Sequence, residues 1–387
     1  MVLSKTDKTL LHLALISGVG PATVQRLLLR LSYDQFNQLY DSSIFDLQRL
    51  GISELASQKI VAGLADMKML EQELLLLEKY RITFVTAFHD AYPSLLKHTY
   101  MPPLGLYVQG ELAHDYVRSL AVVGSRQANE YGKQVVEQLV PELVAQDWMI
   151  VSGGALGIDA LAHAATLRAG GKTIAVVGSG LLRPYPAANR RLFERIVEQG
   201  GAVVSAFPLT MEALAANFPA RNRVIAGMSR GCLVVQAAAK SGALITADIA
   251  LKEGREVFAV PGSIFDPLSA GCHHLLKEGA YTVHTADDIL QVYGFATPQS
   301  VVRKVNVVDQ AHEQQTIIGA RLAQAPEKVA RVEELPPFLN FCREPRSLDE
   351  LLAFERCTQQ ELYDKIWEYQ VAGRLKEASS GKWQVNS

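Results

Sequence analysis

Six short runs rich in β-branched residues alternate with helical patterns between about residues 119 and 290, and most of the runs end in glycine or serine. These runs begin at Leu120, Trp148, Thr173, Ala202, Cys232 and Glu256. Strands that are apolar on both faces and separated by amphipathic helices require a parallel sheet covered on both sides. The sequence therefore predicts an α/β chain with a Rossmann-like, doubly wound, mostly parallel sheet. Ligands of such a sheet bind at the carboxyl ends of its strands.

The pattern divides the chain into five segments. Residues 1–80 predict a helical domain, because their apolar positions recur every three or four residues, and residues 81–118 predict a connector with a short strand. Residues 119–295 hold the predicted Rossmann-like domain. Residues 296–332 show no firm period and predict a linker. Residues 333–387 offer two helices and then a hairpin, which is the order of a winged helix.

The two terminal segments each allow two interpretations. The turn Ser17–Thr23 resembles a helix-hairpin-helix element, and Leu50–Ser53 repeats it weakly. Its backbone amides could meet a DNA phosphate, or the turn could be a tight helix connection that needs small residues. In the predicted winged helix the second helix is acidic, with Lys365 as its one base, so DNA contact and protein docking both stay open.

Composition limits the function without naming it. The 387 residues are 49% hydrophobic and 20% charged, which excludes whole-chain disorder. Because 38 basic residues face 40 acidic ones, a nucleic-acid site must be a local patch on a nearly neutral body. No apolar run approaches the roughly 18 residues of a membrane span, and the start lacks a signal-peptide pattern, so we expect a cytoplasmic protein. Neither a disulfide framework nor a zinc ribbon is expected, since no Cys-x-x-Cys occurs among Cys232, Cys272, Cys342 and Cys357.

Two glycine loops follow the first two predicted strands of the sheet. Gly124, Ser125 and Arg126 would present backbone N–H groups, a hydroxyl and a guanidinium to one point, which suits a phosphate. Gly153 and Gly154 supply a second loop of the same kind. Together the loops could hold two successive phosphates of a strand, or their glycines could simply make tight strand-to-helix turns.

A second group of candidate residues follows later in the domain. Phe218 could stack on an exposed base or pack in the core. Arg221 and Arg223, which bracket Asn222, lie about 200° apart on a helix, so we expect one to brace the fold and the other to face the ligand. A further cation precedes a small-residue turn at Lys240, Ser241 and Gly242.

Catalytic patterns are weak. Asp159 and His163 have the i, i+4 spacing of an acid–base pair, but an intrahelical hydrogen bond between them is the simpler expectation. His273 and His274 are adjacent, unlike a metal-binding pair. The dinucleotide fingerprint, a Ser-His-Asp set and a Walker loop are all missing. We therefore expect binding rather than turnover, with no cofactor and no metal.

The ordered motifs of residues 119–285 resemble the bacterial DNA processing protein A (DprA, also called Smf) family. The residues that carry this resemblance are Gly124–Arg126, Ser152–Asp159 with His163, Gly170–Val176, Tyr185–Pro186 with Asn189, Phe218–Arg223, Ser241–Ala247 and Gly254–Gly262. The helical N-terminal part resembles the sterile-alpha-motif-like domain of that family, and the winged C-terminal part extends the resemblance to most of the chain.

The resemblance implies a cytoplasmic protein that binds single-stranded DNA without strong sequence preference. It implies dimerisation through the Rossmann-like domain, protection of incoming DNA, and loading of the recombinase RecA during natural transformation, with the single-stranded DNA-binding protein as a further candidate partner. The strand contacts it implies are Gly124, Ser125, Arg126, Gly153, Gly154, Phe218, Arg221, Arg223 and Lys240.

Two positions depart from the family pattern, in which glutamate is expected at Ala206 and Gln236. If those carboxylates orient arginines, Gln236 can partly replace one by hydrogen bonding. Two other function classes stay open. One is a nucleotide hydrolase resembling the phosphoribohydrolases, although its Pro-Gly-Gly-x-Gly-Thr loop is missing near Pro261. The other is a structural adaptor that works through the terminal domains.

Overall fold

The computed structural model describes residues 3–112 and 116–295 and, farther on, residues 338, 341, 342, 344, 346–355, 362, 366, 369, 375–379 and 382–385. The chain divides into two compact units, Met1–Lys304 and Val305–Ser387. In the part of the chain that the structure describes, no helix is long and apolar enough to cross a membrane.

The first unit begins with a helical bundle, as the apolar spacing predicts. Its helices are α1 (Lys5–Leu15), α2 (Pro21–Leu28), α3 (Ile44–Arg49), α4 (Glu54–Ala65) and α5 (Met67–Tyr80). A 3-10 helix, Tyr33–Asp41, lies between α2 and α3. Leu10, Leu27 and Ile60 are fully or almost fully buried in the bundle core. The turns between helices contain Gly18 and Gly51, whose φ angles of 84° and 83° favour glycine over any side chain.

A nine-stranded sheet forms the centre of this unit. Its strands are β1 (Thr83–Thr86), β2 (Gly105–Gly110), β3 (Ser119–Val123), β4 (Met149–Ser152), β5 (Thr173–Val177), β6 (Ala202–Ser205), β7 (Gly231–Val234), β8 (Glu256–Ala259) and β9 (Tyr281–Thr282). The spatial order is β1-β2-β6-β5-β4-β3-β7-β8-β9. Neighbours from β6 to β9 pair in parallel, whereas β1 and β2 pair antiparallel to each other and β2 pairs antiparallel to β6. The predicted Rossmann-like, mostly parallel sheet is therefore confirmed.

Residues 81–118, expected to be a connector with one short strand, contribute two strands to this sheet. The run Gly105–Val108 is buried, and Tyr107 is completely so. Its ring meets that of Phe84 edge-on, with centroids 5.0 Å apart. Pairing along the free edge of β6 hides this apolar run and satisfies its backbone groups, which an open connector could not do.

Helices cover both faces of the sheet. They are α6 (Ser94–Lys97), α7 (Glu130–Val144), α8 (Ile158–Arg168), α9 (Arg190–Glu198), α10 (Asn217–Gly227), α11 (Gly242–Lys252), α12 (Ala270–Lys277) and α13 (Ala286–Val292). Along β3 the side chains alternate between two cores, with Leu120 and Val122 in one and Ala121 and Val123 in the other. This alternation explains why the strand is apolar throughout its length.

The strand order reverses direction at β3. From β3 the chain runs to β4, β5 and β6 on one side, then returns to β7, β8 and β9 on the other. The loops after β3 and β7 therefore diverge at the carboxyl ends of the strands and leave a crevice. The fold places the ligand site of such a sheet at this switch point.

The second unit is described in part. It contains β10 (Arg346–Ser347), α14 (Leu348–Glu355), β11 (Leu375–Ser379) and β12 (Lys382–Val385), and its three strands have the order β10-β12-β11. β11 and β12 pair antiparallel where the sequence predicts a hairpin. Most of the predicted second helix, residues 358–367, lies outside the described residues, so the winged helix stays a prediction.

Candidate nucleic-acid interface

A cavity of about 630 Å³ opens at the switch point of the sheet, and we call it the switch-point cavity. Its walls come from the loops after β3 and β7 and from helices α10 and α11. Eight of the twelve residues predicted from sequence line it: Gly124, Ser125, Arg126, Phe218, Arg221, Asn222, Ser241 and Gly242. Residues brought in from far-apart sequence positions therefore share one concave surface.

The loop after β3 is held by the protein itself. The Ser125 amide donates to the Gln236 carbonyl at 2.7 Å, and the Ser125 carbonyl accepts from the Ile158 amide at 3.1 Å. A Cβ at Gly124 would lie 2.6 Å from the Ile158 side chain and 2.9 Å from the Gln236 carbonyl. Gly124 is thus needed for close packing of the loop, and its contact with a ligand stays a prediction. Arg126, at the tip of the loop, is exposed.

The loop after β4 holds a carboxylate of the protein's own. Asp159 accepts hydrogen bonds from the backbone amides of Gly153 and Ala155. A Cβ at Gly153 would overlap the Arg221 guanidinium, and one at Gly154 would lie 2.6 Å from the Phe193 ring. Two of the amides around this turn bind this carboxylate, and the glycines make room for neighbouring side chains. Contact of Gly153 and Gly154 with a second phosphate stays a prediction.

Asp159 and Arg221 form a buried ion pair at 3.8 Å, with each side chain 7% exposed. Burial raises the pKa of Asp159, although Arg221 and the loop amides oppose that shift. Burial lowers the pKa of Arg221, which Asp159 in turn opposes. Arg221 Nε is buried without a hydrogen-bond partner, so this side chain depends on its pairing with Asp159.

The prediction of a hydrogen bond between Asp159 and His163 is wrong. His163 Nδ1 lies 2.8 Å from Thr173 Oγ1, in the interior beside β5. Burial lowers the pKa of His163 to about 3, so the ring is neutral at physiological pH. Asp159 pairs with Arg221 on α10, and His163 contacts Thr173 on β5. The two side chains of α8 therefore have partners on different elements.

An aromatic ring joins the two guanidinium groups of the site. The Phe218 ring centre lies 5.2 Å from Arg126 Cζ and 5.6 Å from Arg221 Cζ. The ring of Tyr185 meets it edge-on, with centroids 6.1 Å apart. Phe218 is half-buried, so it neither disappears into the core nor stands free in solvent. The ring is held in place by flanking side chains and keeps an accessible part at the cavity.

Helix α10 separates its polar residues as the helical spacing predicts. Arg221 points inward to Asp159 and braces the fold, whereas Arg223 is exposed and lies outside the cavity lining. Asn222 Nδ2 donates to the Gly242 carbonyl at 3.4 Å and links α10 to the start of α11. The bracing arginine also lines the cavity, so it combines the two roles that the sequence assigned to different residues.

The opposite wall begins at the N-terminus of α11. Ser241 Oγ accepts from the Ala243 amide at 3.3 Å and caps the helix. Apart from its chain neighbours and the backbone of its own helix, no described atom lies within 4 Å of the position that a Cβ would take at Gly242. Gly242 therefore leaves open space on the cavity wall. Lys240 is exposed and lies outside the lining itself.

Gln236 has a role that the sequence did not indicate. Its side chain is buried, donates to Asn129 Oδ1 at 2.7 Å and accepts from the Asn129 amide at 3.3 Å. It thus fixes the N-cap of α7 and does not orient an arginine. Ala206 packs half-buried against the sheet core. Neither position places a carboxylate in the cavity.

Sequence reasoning missed other parts of the lining. Ile245 and Thr246 follow Gly242 at the i+3 and i+4 spacing of one helix face, which is the pattern that could have found them. Leu268 comes from a separate loop and had no such pattern. Among the described residues, no group of three or more His, Cys, Asp or Glu side chains could hold a metal ion.

A family model described as "DNA recombination-mediator protein A" matches residues 83–294. Protein Smf of Escherichia coli strain K12 is 43% identical over 63% of this chain and 65% of its own length. The DNA processing protein DprA of Streptococcus pneumoniae is 46% identical over 53% of this chain and 72% of its own. Protein Smf of Synechocystis is 31% identical over 95% of this chain and 96% of its own.

One solved structure gives the same result in three dimensions. The X-ray structure of DNA processing protein A from Streptococcus pneumoniae superposes with a TM-score of 0.62 at 34% identity. It covers 77% of this chain and 100% of its own. The family model spans more than half of the chain, and the Synechocystis relative spans nearly all of it. The chain therefore belongs to the DNA recombination-mediator protein A family, the group of the DprA and Smf proteins.

Proposed function

We propose that this chain binds single-stranded DNA across the switch-point cavity and acts as a recombination mediator. The observation that carries the proposal is the Phe218 ring flanked by the guanidinium groups of Arg126 and Arg221. Every nucleobase has a flat π-face that can stack on an aromatic ring, and Arg126 is free to meet the phosphate beside it. This combination binds unpaired strands with little sequence preference.

The remaining candidate residues differ in how close they lie to the strand in this proposal. Ser125 offers a hydroxyl, and Ser241 and Gly242 form the open wall along which the backbone passes. Arg223 and Lys240 are exposed cations outside the cavity that act on phosphates at longer range. Gly124 and Asn222 line the cavity, and Gly153 and Gly154 shape the neighbouring turn; all four keep their predicted place beside the strand.

An enzyme acting on a nucleotide is less well supported. Among the described residues that line the switch-point cavity, Asp159 is the one carboxylate, and it is buried and paired with Arg221. It is thus poorly placed to act as a general base. Incubation with nucleoside monophosphates should release no free base, and release of base would favour this alternative.

Binding is tested by fluorescence anisotropy with a labelled oligothymidylate across a salt series. The wild-type protein should bind, and its affinity should fall as salt rises because phosphate contacts release counterions. Arg126→Ala should weaken binding, whereas Arg168→Ala should not. Arg168 is the matched control because it is ion-paired with Glu137 at the far end of α8. Equal affinity of Arg126→Ala and wild type would contradict the proposal.

The wider role includes protection of incoming strands, dimerisation through the Rossmann-like domain, and loading of RecA during natural transformation. These steps rest on the family to which the chain belongs. Recombinase filament formation on strands coated with single-stranded DNA-binding protein tests them. Addition of the chain should speed filament formation, and the Arg126→Ala variant should not. A variant that ends before residue 330 separates DNA contact from recombinase docking by the terminal unit.

A further inference from the structure

The loop after β8 exposes two adjacent large apolar side chains. Ile264 is 80% exposed and Phe265 is 89% exposed, which are the highest values among large hydrophobic side chains in the part of the chain that the structure describes. Scattered single apolar residues are normal on a surface. Two neighbours standing almost entirely in solvent at the tip of one loop are less easily explained.

This loop is held firmly in position. Asn129 Nδ2 donates to Asp266 Oδ2 at 2.9 Å, and the Phe265 amide donates to Ser263 Oγ at 3.2 Å. His273 Nε2 donates to the Gly262 carbonyl at 3.0 Å. These hydrogen bonds fix the backbone on both sides of Ile264 and Phe265. The exposure of the two side chains is therefore a feature of an ordered loop.

The loop is continuous with the switch-point cavity. Leu268, three residues after Phe265, lines the cavity. Its carbonyl accepts from the Ala237 amide at 2.7 Å, which ties this loop to the segment after β7. That segment leads through Ala238, also in the lining, to the exposed cation Lys240. Phe265 and Lys240 therefore belong to two segments that a hydrogen bond joins and that each contribute a residue to the cavity lining.

The strand order gives the length of the sheet edge that is formed by the carboxyl ends of the parallel strands. Tyr185, which contacts Phe218, follows β5, and Phe265 follows β8. In the order β5-β4-β3-β7-β8 the two strands that precede these residues are four strand spacings apart, or roughly 19 Å. Along this edge of the sheet Tyr185 follows β5, Arg126 follows β3 and Phe265 follows β8. The edge is longer than one nucleotide and suits several.

We propose that Phe265, assisted by Ile264, is a second base platform that holds a single strand where it leaves the switch-point cavity on the side of β8. Lys240 neutralises the phosphate beside it. This inference rests on the proposed DNA-binding function and deepens it, because it makes the ligand a polynucleotide several bases long. A mononucleotide would fill only the Phe218 end.

The test compares two oligothymidylates, one of about two nucleotides, too short to reach from Phe218 to the loop after β8, and one of about 12, within the range that single-strand modules occupy. Phe265→Ala should weaken binding of the longer strand by about 5- to 100-fold and change binding of the shorter strand less than about twofold. The matched control is Leu29→Ala, because Leu29 is 78% exposed but lies beside α2, away from the cavity lining.

A second variant reports the contact directly. In Phe265→Trp the new indole fluorescence should be quenched by the longer strand and not by the shorter one. If wild-type protein binds both strands and Phe265→Ala matches it on the longer one, the second platform is overturned while the cavity proposal stands. If Phe265→Ala alters only the sedimentation of the protein, the loop contacts a second copy and the inference is again overturned. Failure of the wild type to bind either strand would instead reject the DNA-binding function itself.

Discussion

The Arg126 guanidinium lies 5.2 Å from the centre of the Phe218 ring, although the two residues are 92 positions apart in the sequence. The loop after β3 carries the cation and α10 carries the ring. A guanidinium at this distance stabilises the ring through a cation–π interaction worth about 0.5–1 kcal/mol at an exposed site. The proposed function assigns phosphate recognition to Arg126 and base stacking to Phe218, side by side in the cavity.

Arg126→Ala should reduce the salt dependence of strand binding as well as the affinity. For single strands the slope of log affinity against log salt changes by about 0.7 for each phosphate contact. Loss of Arg126 should therefore lower the slope by about 0.7, as measured by anisotropy titrations at several salt concentrations. Arg126→Lys keeps the charge and should retain the slope. An unchanged slope in Arg126→Ala would mean that Arg126 contacts no phosphate.

Phe218→Ala should weaken binding of any unpaired sequence by about 1–3 kcal/mol, which is the range for loss of one base–aromatic stack. The loss should be similar for oligothymidylate and oligoadenylate, because stacking does not read base identity. Phe218→Tyr keeps the ring and should bind nearly as wild type. A loss confined to one base would contradict the platform role of Phe218.

Asp159→Ala should lower the free energy of unfolding by about 3–5 kcal/mol, because it leaves the buried Arg221 guanidinium without its partner. Chemical denaturation followed by circular dichroism measures this change. The double variant Asp159→Leu with Arg221→Met removes both charges and should recover much of the loss. If Asp159→Ala alone is as stable as wild type, the ion pair between Asp159 and Arg221 does not stabilise the fold at the cavity.

Two glycines at the cavity should respond differently to the same change. Gly153→Ala should be strongly destabilising, because its Cβ would overlap the Arg221 guanidinium. Gly242→Ala should leave the unfolding free energy almost unchanged, since its Cβ would enter open space at the first turn of α11. Thermal denaturation of the two variants compares them directly. Similar losses in both variants would contradict the packing described for Gly153.

His163 should make stability fall in acid. Its pKa is lowered to about 3 by burial in the folded chain and is near 6.5 when the chain unfolds. Between these values the unfolded state binds the extra proton, so stability is lost as pH falls from 6.5 toward 3. The contribution reaches at most about 1.4 kcal/mol per pH unit. Denaturation of His163→Gln at several pH values should show a shallower decline than wild type, and equal declines would contradict this assignment.

The sequence predicts the sheet well because its strands are apolar on both faces and end at small residues. The short runs at β3 and β5, for example, admit few other structures. The predicted connector was the weakest point of that interpretation. Pairing of β2 with β6 is a long-range choice that depends on which edge remains open, and no local pattern in Gly105–Gly110 reports it.

Most of the candidate residues named from the sequence line the switch-point cavity, but the contacts that they make within the protein were not predicted. The sequence indicates phosphate-binding turns at Gly124 and Gly153, and the structure adds a packing role, because Ile158 and Arg221 fill the space that a Cβ would take at these two residues. The pairing of Asp159 with Arg221 joins α8 to α10 across 62 positions, which spacing along one helix cannot indicate. The i, i+4 spacing favoured His163 as the partner only because tertiary neighbours were unknown.

The crystal structure of the protein with a bound oligothymidylate tests the central claim most directly. The account predicts a base lying on the accessible face of Phe218 and a phosphate oxygen within hydrogen-bonding distance of the Arg126 guanidinium. A strand bound on another surface, with the switch-point cavity empty, would contradict it.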